Sequence, residues 1–198
     1  MLLVTLAVPV IIFLFLKGFG ENHYAVPVFY SQGIPKDTSE CKPGNKPHEV
    51  DLSDFGFSIQ GENQGNMFHH KLSVVDIDIQ PAIPLGKAGN PLNRIVDHFT
   101  GENSVQFILI RPGQDFDRNK QSLADDRFKY VYGNMNDVSA FARCGLILLD
   151  FPGITDASTR RFVLVDQQGR IRGYYPLSDF DEVDRMILEM KIILEEEY

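Results

Sequence analysis

The clearest pattern of apolar and polar positions lies in the last third of the chain, from Arg161 to Tyr198. The β-branched and aromatic residues of Phe162–Asp166 predict a strand, and Gln167–Gly169 predicts a tight turn because glycine adopts positive φ without strain. A second strand is predicted over Arg170–Tyr175. The two strands are expected to pair as an antiparallel hairpin.

A helix is predicted directly after this hairpin. Ser178 and Asp179 are typical N-cap residues, and the acids Asp181 and Glu182 follow in the expected first turn. Apolar residues then recur at helical spacing, at Val183, Met186, Ile187, Met190, Ile193 and Leu194. One face of this helix is therefore predicted to be buried.

The middle of the chain alternates between strand-like and helix-like patterns. The predicted elements are strands over Phe55–Ile59 and Leu72–Ile79, a helix over Leu92–Phe99, strands over Val105–Ile110 and Phe128–Val131, and a helix over Met135–Arg143. The first two strands are expected to form an N-terminal hairpin. The whole order fits a thioredoxin-like α/β sandwich, in which helices cover both sides of a central mixed sheet.

The N-terminal residues 1–20 are predicted to form a transmembrane signal anchor. The run Leu2–Leu16 carries no charge and is short for a spanning helix, but it extends to Phe19 if the Lys17 side chain snorkels. A cleaved signal peptide is the alternative, although the chain has no basic residue after Met1 and no Ala-x-Ala-type site before Glu21. The uncleaved anchor is therefore favoured.

Residues 21–50 are rich in Pro, Gly, Asn, Ser and Lys and show little periodicity, so they are predicted to form an extended tether. Within them, Tyr24–Tyr30 has enough apolar residues for an edge strand. Residues 51–198 are then predicted to fold as one domain, because a chain of 198 residues with 43% hydrophobic content supports one substantial core.

The net charge of −8 excludes nucleic acid and anionic lipid surfaces as the main partner, because their binding requires clustered Lys and Arg. The nearest approach to a basic patch is the set Arg160, Arg161, Arg170 and Arg172. Alternate side chains of a hairpin point to opposite faces, so these arginines are predicted to form a solvated surface.

The sequence from Phe162 to Tyr175, followed by Asp-Glu-Val-Asp-Arg at 181–185, resembles the C-terminal half of the Sco (SenC-type) copper-chaperone family. Members of that family are membrane-anchored thioredoxin-like proteins, and a fainter likeness extends over residues 1–198. The resemblance implies a thioredoxin-like fold on the exocytoplasmic side of a membrane, in the bacterial periplasm or an equivalent space.

Family members bind copper or exchange thiols through a Cys-x-x-x-Cys motif after an early core strand and a His before the C-terminal hairpin. Ala82, Gly86 and Ser158 stand at the corresponding positions here. Copper(I) prefers thiolate sulfur, and thiol exchange requires an attacking and a resolving cysteine. The resemblance therefore implies a degenerate site, and no copper or other cofactor is expected at it.

The chain has two cysteines, Cys41 in the predicted tether and Cys144 near the end of a predicted helix. One alternative is that, in an oxidising compartment, they pair in a disulfide that joins the tether to the domain. The alternative is that both are unpaired and that Cys144 packs as a small apolar residue beside Phe141. The sequence favours this unpaired alternative.

Two further sets of polar residues are candidates for chemistry. His69 and His70 are adjacent, so their side chains diverge and a solvated turn is favoured over a metal site. Asp76 and Asp78 lie on one face of a strand, where they either share a proton or hydrogen-bond to loop amides. The second arrangement is favoured.

The sequence therefore predicts a non-catalytic, membrane-anchored assembly factor that binds an unidentified protein of the cell envelope, in connection with respiratory oxidase biogenesis. It contains no nucleophile elbow, phosphate-binding glycine loop or Ser-His-Asp order, so no enzyme activity is expected. One alternative is a residual copper or thiol-redox protein that uses Cys144. Another is an enzyme built on Asp76 and Asp78.

Overall fold

The structure is a computed structural model, and it describes residues 8–15, 25–34, 41, 46–59, 67–77, 90–113, 125–148 and 160–196. The elements are a helix α1 (8–15), strands β1 (Ser58–Ile59) and β2 (Leu72–Ile77), helix α2 (Pro91–His98), strands β3 (Val105–Pro112) and β4 (Phe128–Gly133), helix α3 (Met135–Ala140), a π-helical turn (Phe141–Gly145), strands β5 (Arg161–Val165) and β6 (Ile171–Pro176), and helix α4 (Phe180–Glu196).

The six strands form one mixed sheet in the order β1-β4-β3-β2-β5-β6. Strands β2, β3 and β4 run parallel to one another, whereas β1 pairs antiparallel with β4 and β5 pairs antiparallel with both β2 and β6. The predicted N-terminal hairpin is therefore wrong. All six residues of β2 are buried, which is typical of a central strand, and β1 instead lies at the sheet edge beside β4.

Apolar residues pack on both faces of this sheet, as the alternation along β3 shows. Val105, Phe107 and Leu109 belong to the cluster that contains residues of α2 and α4. Ile108 and Ile110 belong to a second cluster, which contains residues of α3 and the π-helical turn. The predicted thioredoxin-like sandwich with a central mixed sheet is confirmed.

The C-terminal hairpin and helix lie where the sequence places them. The Asp179 carboxylate accepts a hydrogen bond from the backbone N–H of Asp181 at 2.9 Å, as expected of an N-cap. The Tyr175 hydroxyl donates to the buried Glu189 carboxylate of α4, and Arg185 lies 4.7 Å from the centre of the Tyr175 ring. These contacts join β6 to α4.

Helix α1 is apolar, and its side chains from Val8 to Phe15 are exposed. Among the described residues, no helix combines the length and apolar character that crossing a membrane requires.

Parts of the predicted tether lie against the domain. Residues 25–30 form no strand, but the Phe29 N–H donates to the Ile171 carbonyl at 2.9 Å. The Val50 N–H donates to the Gly169 carbonyl in the turn of the C-terminal hairpin, at 2.8 Å. Segments 25–34 and 46–50 are therefore bonded to the domain through their backbone.

Candidate functional site

A cluster of three charged residues lies at the carboxyl ends of β2 and β3. Asp76 is the penultimate residue of β2 and lies opposite Leu109 of β3 and Phe162 of β5. Arg111 is near the end of β3, and Arg160 directly precedes β5. Because β2 ends at Ile77 and β5 begins at Arg161, this cluster lies at the end of β2 and at the start of β5.

The Asp76 carboxylate is buried and binds both arginines. Arg160 Nη2 lies 2.9 Å from Oδ1 and 3.0 Å from Oδ2 of this carboxylate, and Arg111 Nη2 lies 3.2 Å from Oδ2. The Asp76 side chain is 6% exposed, and those of Arg160 and Arg111 are 19% and 26% exposed. The cluster therefore holds two positive charges and one negative charge in a largely buried position.

This ion cluster has a structural role in the fold. Hydrogen bonds between ionised groups are strong, and a buried carboxylate requires such partners. The two arginines occupy both oxygens of Asp76, so one ion cluster joins the end of β2 to the start of β5.

Two tyrosines of β4 lie close to this cluster. Burial, together with the neighbouring Tyr132, raises the pKa of Tyr130 to about 12, and the positive charge of Arg111 opposes this rise. The two rings stack with their centroids 6.5 Å apart. Tyr130 therefore remains a neutral phenol at physiological pH.

The prediction that the hairpin arginines form a solvated surface is wrong. Arg160 binds Asp76, while Arg170 and Arg172 both bind Asp166, whose side chain is fully buried. Arg172 is itself 5% exposed at its side chain. Buried carboxylates need cationic partners, and sequence alternation alone does not show where those carboxylates lie.

The expectation for Asp76 is also corrected, because its partners are guanidinium groups rather than loop amides. Asp78 lies outside the described residues, so a pairing of Asp76 with Asp78 stays a prediction. The positions Ala82, Gly86 and Ser158 also lie outside the described residues. In the part of the chain that is described, no group of three or more His, Cys, Asp or Glu side chains is suited to hold a metal ion.

Cys41 and Cys144 form a disulfide, in place of the unpaired cysteines that the sequence favoured. Their Cα atoms are 5.3 Å apart, although they are separated by 103 positions in the sequence. Cys41 is buried, and Cys144 belongs to the π-helical turn. Because its sulfur is bonded to that of Cys41, Cys144 offers no thiolate to a metal or to an exchange reaction.

The π-helical turn is held by two side-chain hydrogen bonds as well as by the disulfide. Nε2 of His48 lies 2.7 Å from the Gly145 carbonyl, and the Tyr174 hydroxyl donates to the Leu146 carbonyl at 2.8 Å. Burial, as the largest cause, raises the pKa of Tyr174, so this hydroxyl keeps its proton. The tether, β6 and the π-helical turn are thus connected at one place.

No protein-family model and no curated protein sequence matches the chain. Solved structures do match. One is BsSco, a member of the Sco family of cytochrome c oxidase assembly proteins in which a disulfide switch was identified; it has 15% identity and a TM-score of 0.53, over 73% of this chain and 94% of that chain. Another is a SCO1/SenC family lipoprotein from Bacillus anthracis, with 21% identity and a TM-score of 0.53, over 74% of this chain and 96% of that chain.

These two likenesses extend over nearly the whole of the similar structures. At 15% and 21% identity they show the fold alone. The resemblance to Sco proteins that the sequence predicts is confirmed at that level.

Proposed function

We propose that this protein is a membrane-anchored, Sco-like assembly factor that acts by binding another protein of the cell envelope, without copper or thiol chemistry at the inherited position. The observation that carries the proposal is the substitution of all three ligand positions by Ala82, Gly86 and Ser158 within a retained thioredoxin-like scaffold. A side chain of alanine or glycine cannot ligate copper(I), and neither can replace a thiolate.

The Asp76 cluster supports this proposal. Ala82 and Gly86 follow the end of β2 at Ile77, and Ser158 precedes Arg160 at the start of β5. The ion pair between Asp76 and Arg160 joins these two points of the chain. The scaffold at the inherited position is thus held in place although its ligands are substituted, and it can still bind a partner protein through its surface. No catalytic step is assigned to it.

The place of action is proposed from the similar structures. BsSco belongs to a family of cytochrome c oxidase assembly proteins, and the Bacillus anthracis protein is a lipoprotein. By analogy, this chain takes part in respiratory oxidase biogenesis with its domain on the periplasmic side. Residues 1–20 form the anchor and 51–198 the domain, and the exposed apolar side chains of α1 favour insertion into lipid.

Copper(I) stoichiometry on the reduced, detergent-solubilised full chain tests the proposal. With a competing chelator that reports tight binding, the unmodified chain is expected to hold close to no copper. The matched control restores the ligands through A82C, G86C and S158H, and it is expected to bind about one copper per chain. One tightly held copper in the unmodified chain, lost in C144S, would overturn the proposal.

The partner is tested separately by covalent capture from membranes. The full chain and the control with restored ligands are each crosslinked in cells and recovered under denaturing conditions. The same oxidase-related envelope protein is expected with both chains, because binding does not depend on copper. Capture only with the restored ligands would show that copper, and not the scaffold, determines the interaction.

A further inference from the structure

The segment 25–34, between the proposed anchor and the domain, is attached to the domain by buried contacts. Val26 is 3% exposed and belongs to the same apolar cluster as residues of α4. The Phe29 N–H bonds to the Ile171 carbonyl, and the Phe29 ring meets the Tyr174 ring edge-on, with centroids 5.5 Å apart. Burial of an apolar side chain stabilises such an attachment.

Arg172 makes this attachment specific. Its Nη2 donates to the Val26 carbonyl at 2.7 Å, and its Nε donates to the Pro27 carbonyl at 3.3 Å. The same guanidinium group lies 3.2 Å from Asp166 and 3.1 Å from Glu196. One buried cation therefore connects the segment to the hairpin and to the end of α4.

We infer that the domain is held close to the bilayer by a short leash, the chain between Gly20 and Val26. It is not held by a free tether of the thirty residues 21–50. This inference rests on the proposed anchor at residues 1–20. Five residues, 21–25, lie between Gly20 and the attached Val26, and the six fully extended steps along the chain from Gly20 to Val26 span about 20 Å. A free tether over residues 21–50 would reach roughly 100 Å.

The attachment also orients the domain. Val26 and Phe29 contact Arg172 and Ile171, at the start of β6, where α4 ends at Glu196. The Asp76 cluster lies at the opposite end of the sheet, because Arg161 pairs with Pro176 and Val165 pairs with Ile171. The hairpin turn thus faces the bilayer, and the Asp76 cluster is directed away from it, about 15 Å farther along β5.

This placement restricts the partner. A leash of about 20 Å and a strand of about 15 Å keep the Asp76 end within roughly 40 Å of the membrane surface. The Asp76 end can therefore contact only those parts of a partner that lie within this distance of the membrane surface.

Energy transfer from the domain to the bilayer tests the placement. The full chain is reconstituted in phosphatidylcholine vesicles that contain an acceptor dye on the lipid headgroup. A donor dye is attached at E195C or at D181C, without reductant so that Cys41 and Cys144 stay paired. These positions are exposed and about 21 Å apart along α4. Higher transfer is expected from E195C, at the end near the bilayer.

Two insertions of the same 20-residue Gly/Ser linker give the decisive comparison. Placed between Gly20 and Glu21, the linker lengthens the leash and is expected to move both donors away by up to about 25 Å. Placed between Lys36 and Asp37, beyond the attached segment, it is expected to leave both distances unchanged. A free tether would respond equally to both insertions, and that result would overturn the inference.

Vesicle flotation separates the two ways of failing. If the chain does not float with the vesicles, it lacks the proposed anchor. Both the proposed anchor and the inferred placement of the domain are then wrong. If the chain floats but both insertions increase the distance from donor to bilayer equally, the anchor is present and only the inference of a short leash is wrong.

Discussion

Removal of the Cys41–Cys144 disulfide is expected to destabilise the protein strongly. The bond closes a loop of 103 residues, which is most of the domain. On the chain-entropy relation, closing a loop of about 100 residues lowers the entropy of the unfolded chain enough to stabilise the fold by about 4.7 kcal/mol. Since folded domains are ordinarily stable by only about 5–15 kcal/mol, this one bond supplies a large share.

Urea unfolding of the detergent-solubilised chain measures this contribution. The variants C41A, C144A and the double variant are compared with the unmodified chain. Each single variant already breaks the bond, so all three are expected to lose about 4–5 kcal/mol, and the two single losses should not add. The midpoint of thermal unfolding is expected to fall by roughly 10–20 °C for a chain of this size.

Reduction of the unmodified chain with a dithiol is the matched control, because it opens the bond without changing a side chain. Its loss of stability should equal that of the double variant. Unfolding free energies of all variants within about 1 kcal/mol of the unmodified chain would refute the reasoning, and would mean that the unfolded chain gains little freedom when the bond opens.

Three other predictions follow from single contacts. Asp76→Asn leaves two guanidinium groups without their carboxylate and is expected to cost about 3–5 kcal/mol in urea unfolding, against less than 0.5 kcal/mol at an exposed aspartate. Gly173→Ala places a methyl group against the buried Tyr175 hydroxyl and ring, so we expect a loss of about 1–3 kcal/mol that is reduced in a Tyr175→Phe background. The hydrogen bond from Arg127 holds the pKa of Asp125 below its ordinary 3.8, so the unfolded chain binds this proton first. The stability that this pair contributes is therefore present above pH 3.8 and is lost as the pH falls through the lower pKa of Asp125 in the folded protein. Titration by NMR should show that the pKa of Asp125 rises in Arg127→Ala.

Local patterns predicted the C-terminal unit well. The turn at Gln167–Gly169 and the cap at Asp179 depend on neighbouring residues, which the sequence displays directly. The strand β2 was also predicted, but its partners were not. Pairing of β1 with β4 brings together residues more than 70 positions apart. An alternating pattern predicts that a segment forms a strand, but it does not predict which strand pairs with it.

The candidate site was predicted only in part. Asp76 was identified as a candidate from its position near the end of a strand, but its partners Arg111 and Arg160 are 35 and 84 positions away. The disulfide of Cys41 depends on the fold of the intervening chain in the same way. The nearest prediction to the attachment of Val26 was an edge strand over Tyr24–Tyr30. Residues 25–30 form no strand there, and Arg172, the partner of the Val26 carbonyl, is 146 positions away from Val26, which no local pattern shows.

The same disulfide determines how the chain carries mechanical tension. A pull applied between the two termini passes from Cys41 through the sulfur bridge to Cys144, so the backbone between these two residues carries no covalent tension. About 350 Å of contour length is thereby withheld from stretching. Strands β1 to β4 lie inside this covalent ring, whereas β5, β6 and α4 lie outside it. Under force the C-terminal hairpin and helix would extend while the ring stays closed, until a reductant opens the bridge.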